Sequence, residues 1–224
     1  EQRKLYLAAV ADAREKLRAA KPEDKMAVFA VLMRLRQICC DPRLVADNWS
    51  GGSAKLDACM ELVTAAVEGG HRILLFSQFT SMLDLLAQRL DEAGVSHFTL
   101  QGSTPKPVRA ELVRRFNGGE ASVFLISLRA GGTGLNLTAA DIVIHYDRWW
   151  NVAGQNRATD RAYRIGQKNP VQVYKLIAQD TIEEKIVELQ QAKQDLAETV
   201  TGSADGAILR MKPEELLNLL EGTE

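Results

Sequence analysis

The stretch "QNRATDRAYRIGQ", Gln155 to Gln167, sets arginines at positions 157, 161 and 164. Spacings of four and three residues bring all three to one face if the stretch is helical. Asp160 stands three residues after Arg157 and four before Arg164, and it can neutralise only one of the three cations. The bland alternative is a solvated helix face with Asp160 shared between its neighbours. A guanidinium is a planar fork that meets phosphate oxygens two at a time, so the chemistry most suited to the cluster is recognition of a phosphorylated anion. Tyr163 and Ile165 would anchor such a helix and Gly166 would end it.

Other segments offer parts of the same chemistry. "SLRAGGTGLNL", Ser127 to Leu137, places Gly131, Gly132 and Gly134 where backbone can approach a ligand closely. Successive exposed N–H groups there suit a phosphate, although a plain tight turn explains the glycines as well. The segment is not a GK[ST] phosphate loop, because no lysine follows in that position. "HFTLQGSTPKP" puts Gly102, Ser103, Thr104 and Lys106 together, as a helix start near an anion would. "YDRWWNVAG" supplies Trp149 and Trp150, which point different ways, so one can be core and the other a platform for a nucleotide.

The elements that must position these residues follow from the apolar pattern. "LYLAAVADAREKL" and "MAVFAVLMRLRQICC" read as two helices, the second largely buried. "DPRLVADNWSGGS" is a loop, and Ser53 is placed to cap a helix over "AKLDACMELVTAAVE". Five short runs then read as strands, "RILLF" as a buried parallel one, followed by "SHFTL", "SVFLIS", "DIVIHY" and "VQVYKLI". Helices separate them. Ser81 and Asp84 are spaced as a capping box for "SMLDLLAQRL"; Thr104 can cap the next helix, with Val108, Leu112 and Phe116 on its apolar face. A long helix follows Thr181 and Glu184, and "PEELLNLL" forms a short last one. Alternation of strand and helix predicts an α/β fold, an open, mostly parallel sheet with helices on both faces. Ligands in such sheets gather at the carboxyl ends of the strands, where the segments above fall.

Composition narrows the class. The chain has 224 residues, 28 Lys+Arg against 29 Asp+Glu, and a formal net charge of -1. Bulk charge therefore cannot hold a polyanion, and any such site must be a local concentration of cations. Between Asp147 and Lys175 there are six basic residues (Arg148, Arg157, Arg161, Arg164, Lys168, Lys175) against two acids; from Asp180 onward eleven acids face four bases. Cys39, Cys40 and Cys59 have no metal-ligand spacing and read as thiols in a reducing compartment. With no apolar leader and no membrane-length run, the expected location is cytoplasmic.

Taken in order and spacing, "RILLFSQFTSMLDLL", "LQGST", "FLISLRAGGTGLNLTAADIVIHYD", "WWN" and "ATDRAYRIGQ" resemble motifs IV to VI of the Swi/Snf family of helicase-like, DNA-translocating ATPases. "VYKLIAQDTIEEKI" is similar to the family's following segment, and "RLRQICCDPRLV" to the helical region before it. The resemblance implies a RecA-like C-terminal lobe of an ATP-dependent duplex DNA translocase. It places a helical protrusion at 1–52, the lobe at 53–180 and brace helices at 181–224. ATP with Mg²⁺ would be held mainly by an N-terminal RecA-like lobe of the same parent chain, whose GK[ST] loop and acidic Mg²⁺ motif do not occur here. This chain alone would then be inactive. A short tail is more like that of compact bacterial members, for which a nucleoid association is expected.

By the family pattern, Arg161 and Arg164 would reach ATP phosphates as arginine fingers, and Gly132 and Gly134 would lie near the nucleotide or the cleft. Gly102, Ser103, Lys106, Ser127, Arg129 and Trp150 match positions that track the DNA backbone. Partners implied are double-stranded DNA, the N-terminal lobe and a DNA-bound protein substrate. Two positions depart from the pattern: Arg157 stands where the family has Gln, and Val152 where it has Pro. Two other readings remain, a non-catalytic DNA-binding or regulatory module and an RNA helicase lobe; "RAYRIGQ" and "GTGLNL" favour the Swi/Snf type.

Overall fold

Five apolar runs become strands of one sheet in the computed structural model: β1 (Ile73–Ser77), β2 (His97–Leu100), β3 (Val123–Ser127), β4 (Ile142–His145) and β5 (Gln172–Lys175). The structure describes residues 1–131, 134–148, 152–162, 166–197 and 210–221. Expectations for Gly132, Trp149, Trp150, Tyr163, Arg164 and Ile165 lie outside the described residues.

The strands are all parallel and lie in the order β2-β3-β1-β4-β5. The central strands β1, β3 and β4 are buried at every residue, which is why they read as nearly continuous apolar runs. Edge strand β5 is exposed throughout, so its alternation of polar and apolar residues carries a weaker signal. One face of the sheet presents Leu74, Phe76, Leu100, Phe124, Ile126 and Val143 to a core completed by Phe116, Leu137, Ala158 and Ala162. Each fully buried side chain of this size contributes about 1.5–3 kcal/mol.

Helices α3 (Ala54–Glu68), α4 (Thr80–Glu92), α5 (Lys106–Asn117), α6 (Leu128–Gly131) and α7 (Val152–Thr159) lie between or before the strands. They correct four expectations. Helix α4 begins at Thr80 with Phe79 at its N-cap, and Ser81 and Asp84 form no capping box there. Ser77 Oγ instead accepts from the Phe79 N–H at 3.1 Å. Thr104 does not cap α5; its Oγ1 accepts from Gln101 N at 3.0 Å, and Pro105 takes the N-cap position. In α5, Phe116 is fully buried and Leu112 packs on the core, but Val108 is 46% exposed. The fourth correction concerns the arginines and is taken up below.

Packing divides the chain into two units, Glu1–Lys55 with Ile177–Glu224, and Leu56–Leu176. The first contains α1 (Gln2–Ala19), α2 (Lys25–Cys40), a 3₁₀ turn (Pro42–Leu44), α8 (Ile182–Ala197) and α9 (Pro213–Leu220). Asp24 caps α2, accepting from Ala27 N at 3.0 Å. Lys55 and Glu183 form a buried ion pair, with Nζ to Oε1 at 2.6 Å, and Glu183 also accepts from Ala178 N at 2.8 Å. Tyr6 Oη accepts from Ile182 N at 2.7 Å, fixing the start of α8. Burial, followed by the Glu183 charge, pushes the Cys39 thiol up to about 12. All three cysteines are buried.

Candidate functional site

Strands β1 and β3 are neighbours whose outgoing connections run in opposite directions, one to β2 beyond β3 and the other to β4 beyond β1. Their carboxyl ends therefore flank a crevice of the kind that holds ligands in open α/β sheets. Ser77 and Ser127 are register partners at that edge. Ser77 Oγ donates to Asp147 Oδ2, and the same carboxylate accepts from Gln78 N, at 3.2 Å to Oδ1. Asp147 is fully buried. It thus ties the loop after β4 to the loop after β1. Ser127 is also buried, and its Oγ accepts from Ala130 N at 3.3 Å. Its hydroxyl caps α6 and does not face solvent, whereas Arg129 on that helical turn is exposed.

The loop after β2 is held from within. Arg109 donates from Nη2 to the Gly102 carbonyl and from Nε to the Thr104 carbonyl, both at 2.7 Å. Those bonds leave Gly102, Ser103 and Lys106 exposed on a braced turn at the start of α5. Among the described residues, a Cβ at Gly102 would meet nothing within 4 Å. Gly134 is likewise exposed, with φ of +61°, a value that glycine adopts without strain.

Beyond β4 the arginine stretch departs from expectation. Helix α7 ends at Thr159, so Arg157 lies on the helix and Arg161 in the turn after it. One helical face does not carry both. Arg157 and Asp160 are exposed and form no ion pair among the described residues, whereas Arg161 is buried at 5% exposure. The Arg161 carbonyl accepts from Leu137 N at 3.0 Å, joining this turn to the glycine-rich loop.

His145, at the end of β4, was not singled out in the sequence. Its ring stacks on Phe76 with centroids 5.5 Å apart. Its Nε2 lies 2.9 Å from Thr159 Oγ1, and Thr159 itself donates to Gln155 O at 3.2 Å. Thr159 is therefore the acceptor, and the imidazole proton resides on Nε2. Burial, then the charges of Lys175 and Arg148, pull the His145 pKa down to about 3, so it is neutral near pH 7. Burial and the Arg148 charge also lower that of Lys175. The one sequence signal for His145 was its place at a strand end.

A parallel sheet with its loops ordered in this way defines the class: a RecA-like lobe of a helicase-type motor. A family profile described as the helicase conserved C-terminal domain matches residues 54–166. The chain belongs to that family, in its SWI/SNF branch. It is 40% identical over 226 residues to a putative ATP-dependent helicase/translocase of Bacillus subtilis, covering 98% of this chain and 24% of that protein. An uncharacterised ATP-dependent helicase of Mycoplasma pneumoniae is 37% identical over 92% of this chain and 20% of its own length. The Sulfolobus solfataricus SWI2/SNF2 ATPase core in complex with dsDNA superposes with a TM-score of 0.80 at 32% identity, over 96% of this chain and 46% of that one. The chain spans about a fifth of the length of the curated relatives first matched. Among the described residues, no helix is long and apolar enough to cross a membrane.

Proposed function

We propose that this chain is the C-terminal lobe of an ATP-driven duplex DNA translocase and acts on ATP held mainly by an N-terminal lobe. The observation that carries the reading is the joining of the glycine-rich loop to the arginine turn by Leu137 N and Arg161 O, at the sheet edge where the braced Gly102–Lys106 turn is also exposed. When bound, Mg²⁺–ATP supplies the transferring phosphoryl. This chain supplies guanidinium charge to it and backbone contacts to duplex DNA.

Arg164 is the principal finger and Arg161, buried in its turn, the secondary one. Gly132 and Gly134 keep the adjacent backbone free of side chains near the nucleotide. Gly102, Ser103, Lys106, Arg129 and Trp150 track the DNA, touching phosphates and not reading bases. Ser127 serves that face by holding α6, which carries Arg129. The full-length protein is an ATP hydrolase stimulated by DNA, cytoplasmic, and acting on a DNA-bound protein; the isolated chain does not turn over ATP.

Arg164→Ala in the complete protein tests this directly. Arginine fingers contribute about 10³–10⁵ in rate. DNA-stimulated ATP turnover is expected to vanish while duplex binding persists. Turnover at the wild-type rate would refute the finger role.

A further inference from the structure

The Gly-Gln pair that closes the arginine stretch has no part in the reading above, and the structure gives it one. Gly166 has φ of +107°, in the left-handed region that other residues avoid. The chain reverses there, and the Gln167 side chain folds back. Its Nε2 donates to Ala140 O at 2.6 Å and to Ala162 O at 3.2 Å. Its Oε1 accepts from Asn169 N at 3.0 Å. That last bond identifies which end of the amide is oxygen, so the NH₂ faces the two carbonyls.

Both carbonyls belong to buried alanines. Ala140 lies at the end of the short stretch whose other end, Leu137, donates to Arg161 O. Ala140 N in turn donates to Leu137 O at 3.2 Å, which makes 137–140 a closed turn. The arginine turn is therefore fastened to this one turn at two points, by main chain at Arg161 and by the Gln167 amide at Ala162.

We infer that Gln167 is a positioning residue for ATP turnover: its carboxamide clamps the turn that carries Arg161 to the loop before β4 and so sets where Arg161 stands. This rests on the proposed role of Arg161 and Arg164. Two parallel carbonyl acceptors require a two-proton donor between them. A carboxylate of the same size would repel both, and an apolar side chain would leave both without that donor.

The test uses the complete protein with Gln167→Met, Gln167→Glu and Gln167→Lys, beside Arg164→Ala. A misplacement of about 1 Å at a reacting group can cost roughly 100-fold, so kcat for ATP in the Met and Glu variants should fall about 10- to 100-fold. Duplex affinity should stay near wild type, and the thermal midpoint should fall by a few degrees, because two buried carbonyls lose their donor. Lysine, one bond longer but still a multiple donor, should recover most of the loss.

A Met variant at the wild-type kcat, with Arg164→Ala inactive, overturns the inference and leaves the proposed function standing. Equal losses in Met and Lys that track a lowered thermal midpoint overturn it too, since they mark packing alone. Turnover retained in Arg164→Ala removes the proposed function and this inference together.

Discussion

The two ends of the sheet are each tied by an aspartate, yet they are built for different ends. At the amino end Asp141 accepts from Arg72 N at 3.1 Å and sits 2.8 Å from His71 Nδ1. Arg72 also donates to the Phe116 carbonyl at 2.8 Å and lies over the Phe116 ring, 5.6 Å from its centroid. Cations there are consumed by the fold. At the carboxyl end Asp147 binds hydroxyl and backbone donors, from Ser77 Oγ and Gln78 N. Among the described residues Lys106 and Arg129 form no ion pair, and Arg148 and Lys175 disfavour each other's charge. Acidic groups can thus anchor a cation and main chain at one end of a sheet and hold loops together at the other.

Substitutions at the two aspartates separate these roles. Asp147→Ala strips the acceptor from Ser77 Oγ and Gln78 N in a dry site, and urea unfolding of the chain should show a loss of about 3 kcal/mol. A loss no larger than at a surface site would erase the contrast. His145 sharpens it through pH. The unfolded chain takes up the imidazole proton near the ordinary value of 6.5, the folded chain only near 3. Between those values the unfolded state binds more protons, so stability is complete above pH 6.5 and declines as pH falls. Going from pH 6.5 to about 4.5 should cost on the order of 2 kcal/mol, and His145→Gln should flatten that slope. An unchanged slope in the variant would show that the imidazole is not the titrating group.

At the amino end Asp141→Ala should cost about 1 kcal/mol, and turnover of the complete protein should be untouched. A drop in turnover would mean that this end communicates with the ligand face. The smallest effect concerns DNA. Lys106→Ala should lower affinity for all duplex sequences alike and reduce the salt slope by about 1. A sequence-selective loss would contradict backbone tracking.

How much was readable beforehand follows the same division. The buried strands announced themselves, since a parallel strand covered on both faces must be mostly apolar, as "VFLI" is before the terminal Ser127. Helix starts were misplaced where an acceptor came from outside the expected position, as when Ser77 satisfied Phe79 N in place of the Ser81–Asp84 box. The arginine spacing suggested one helix across Arg157 and Arg161, but α7 stops at Thr159, where Thr159 is engaged by His145. Gln167 escaped notice because its partners are main-chain carbonyls of two alanines, and carbonyls leave no imprint on residue type. Motif order disclosed the family; the fastening of its parts required coordinates.

The sealed thiols have a practical use. Cys39, Cys40 and Cys59 are at most 3% exposed, and the thiolate, not the thiol, is the species that attacks electrophiles. A cysteine introduced at exposed Ser103 would accordingly be the preferred target for a maleimide dye, with no need to delete the native three. Fluorescence from that one label would report in real time whether a ligand reaches the braced turn.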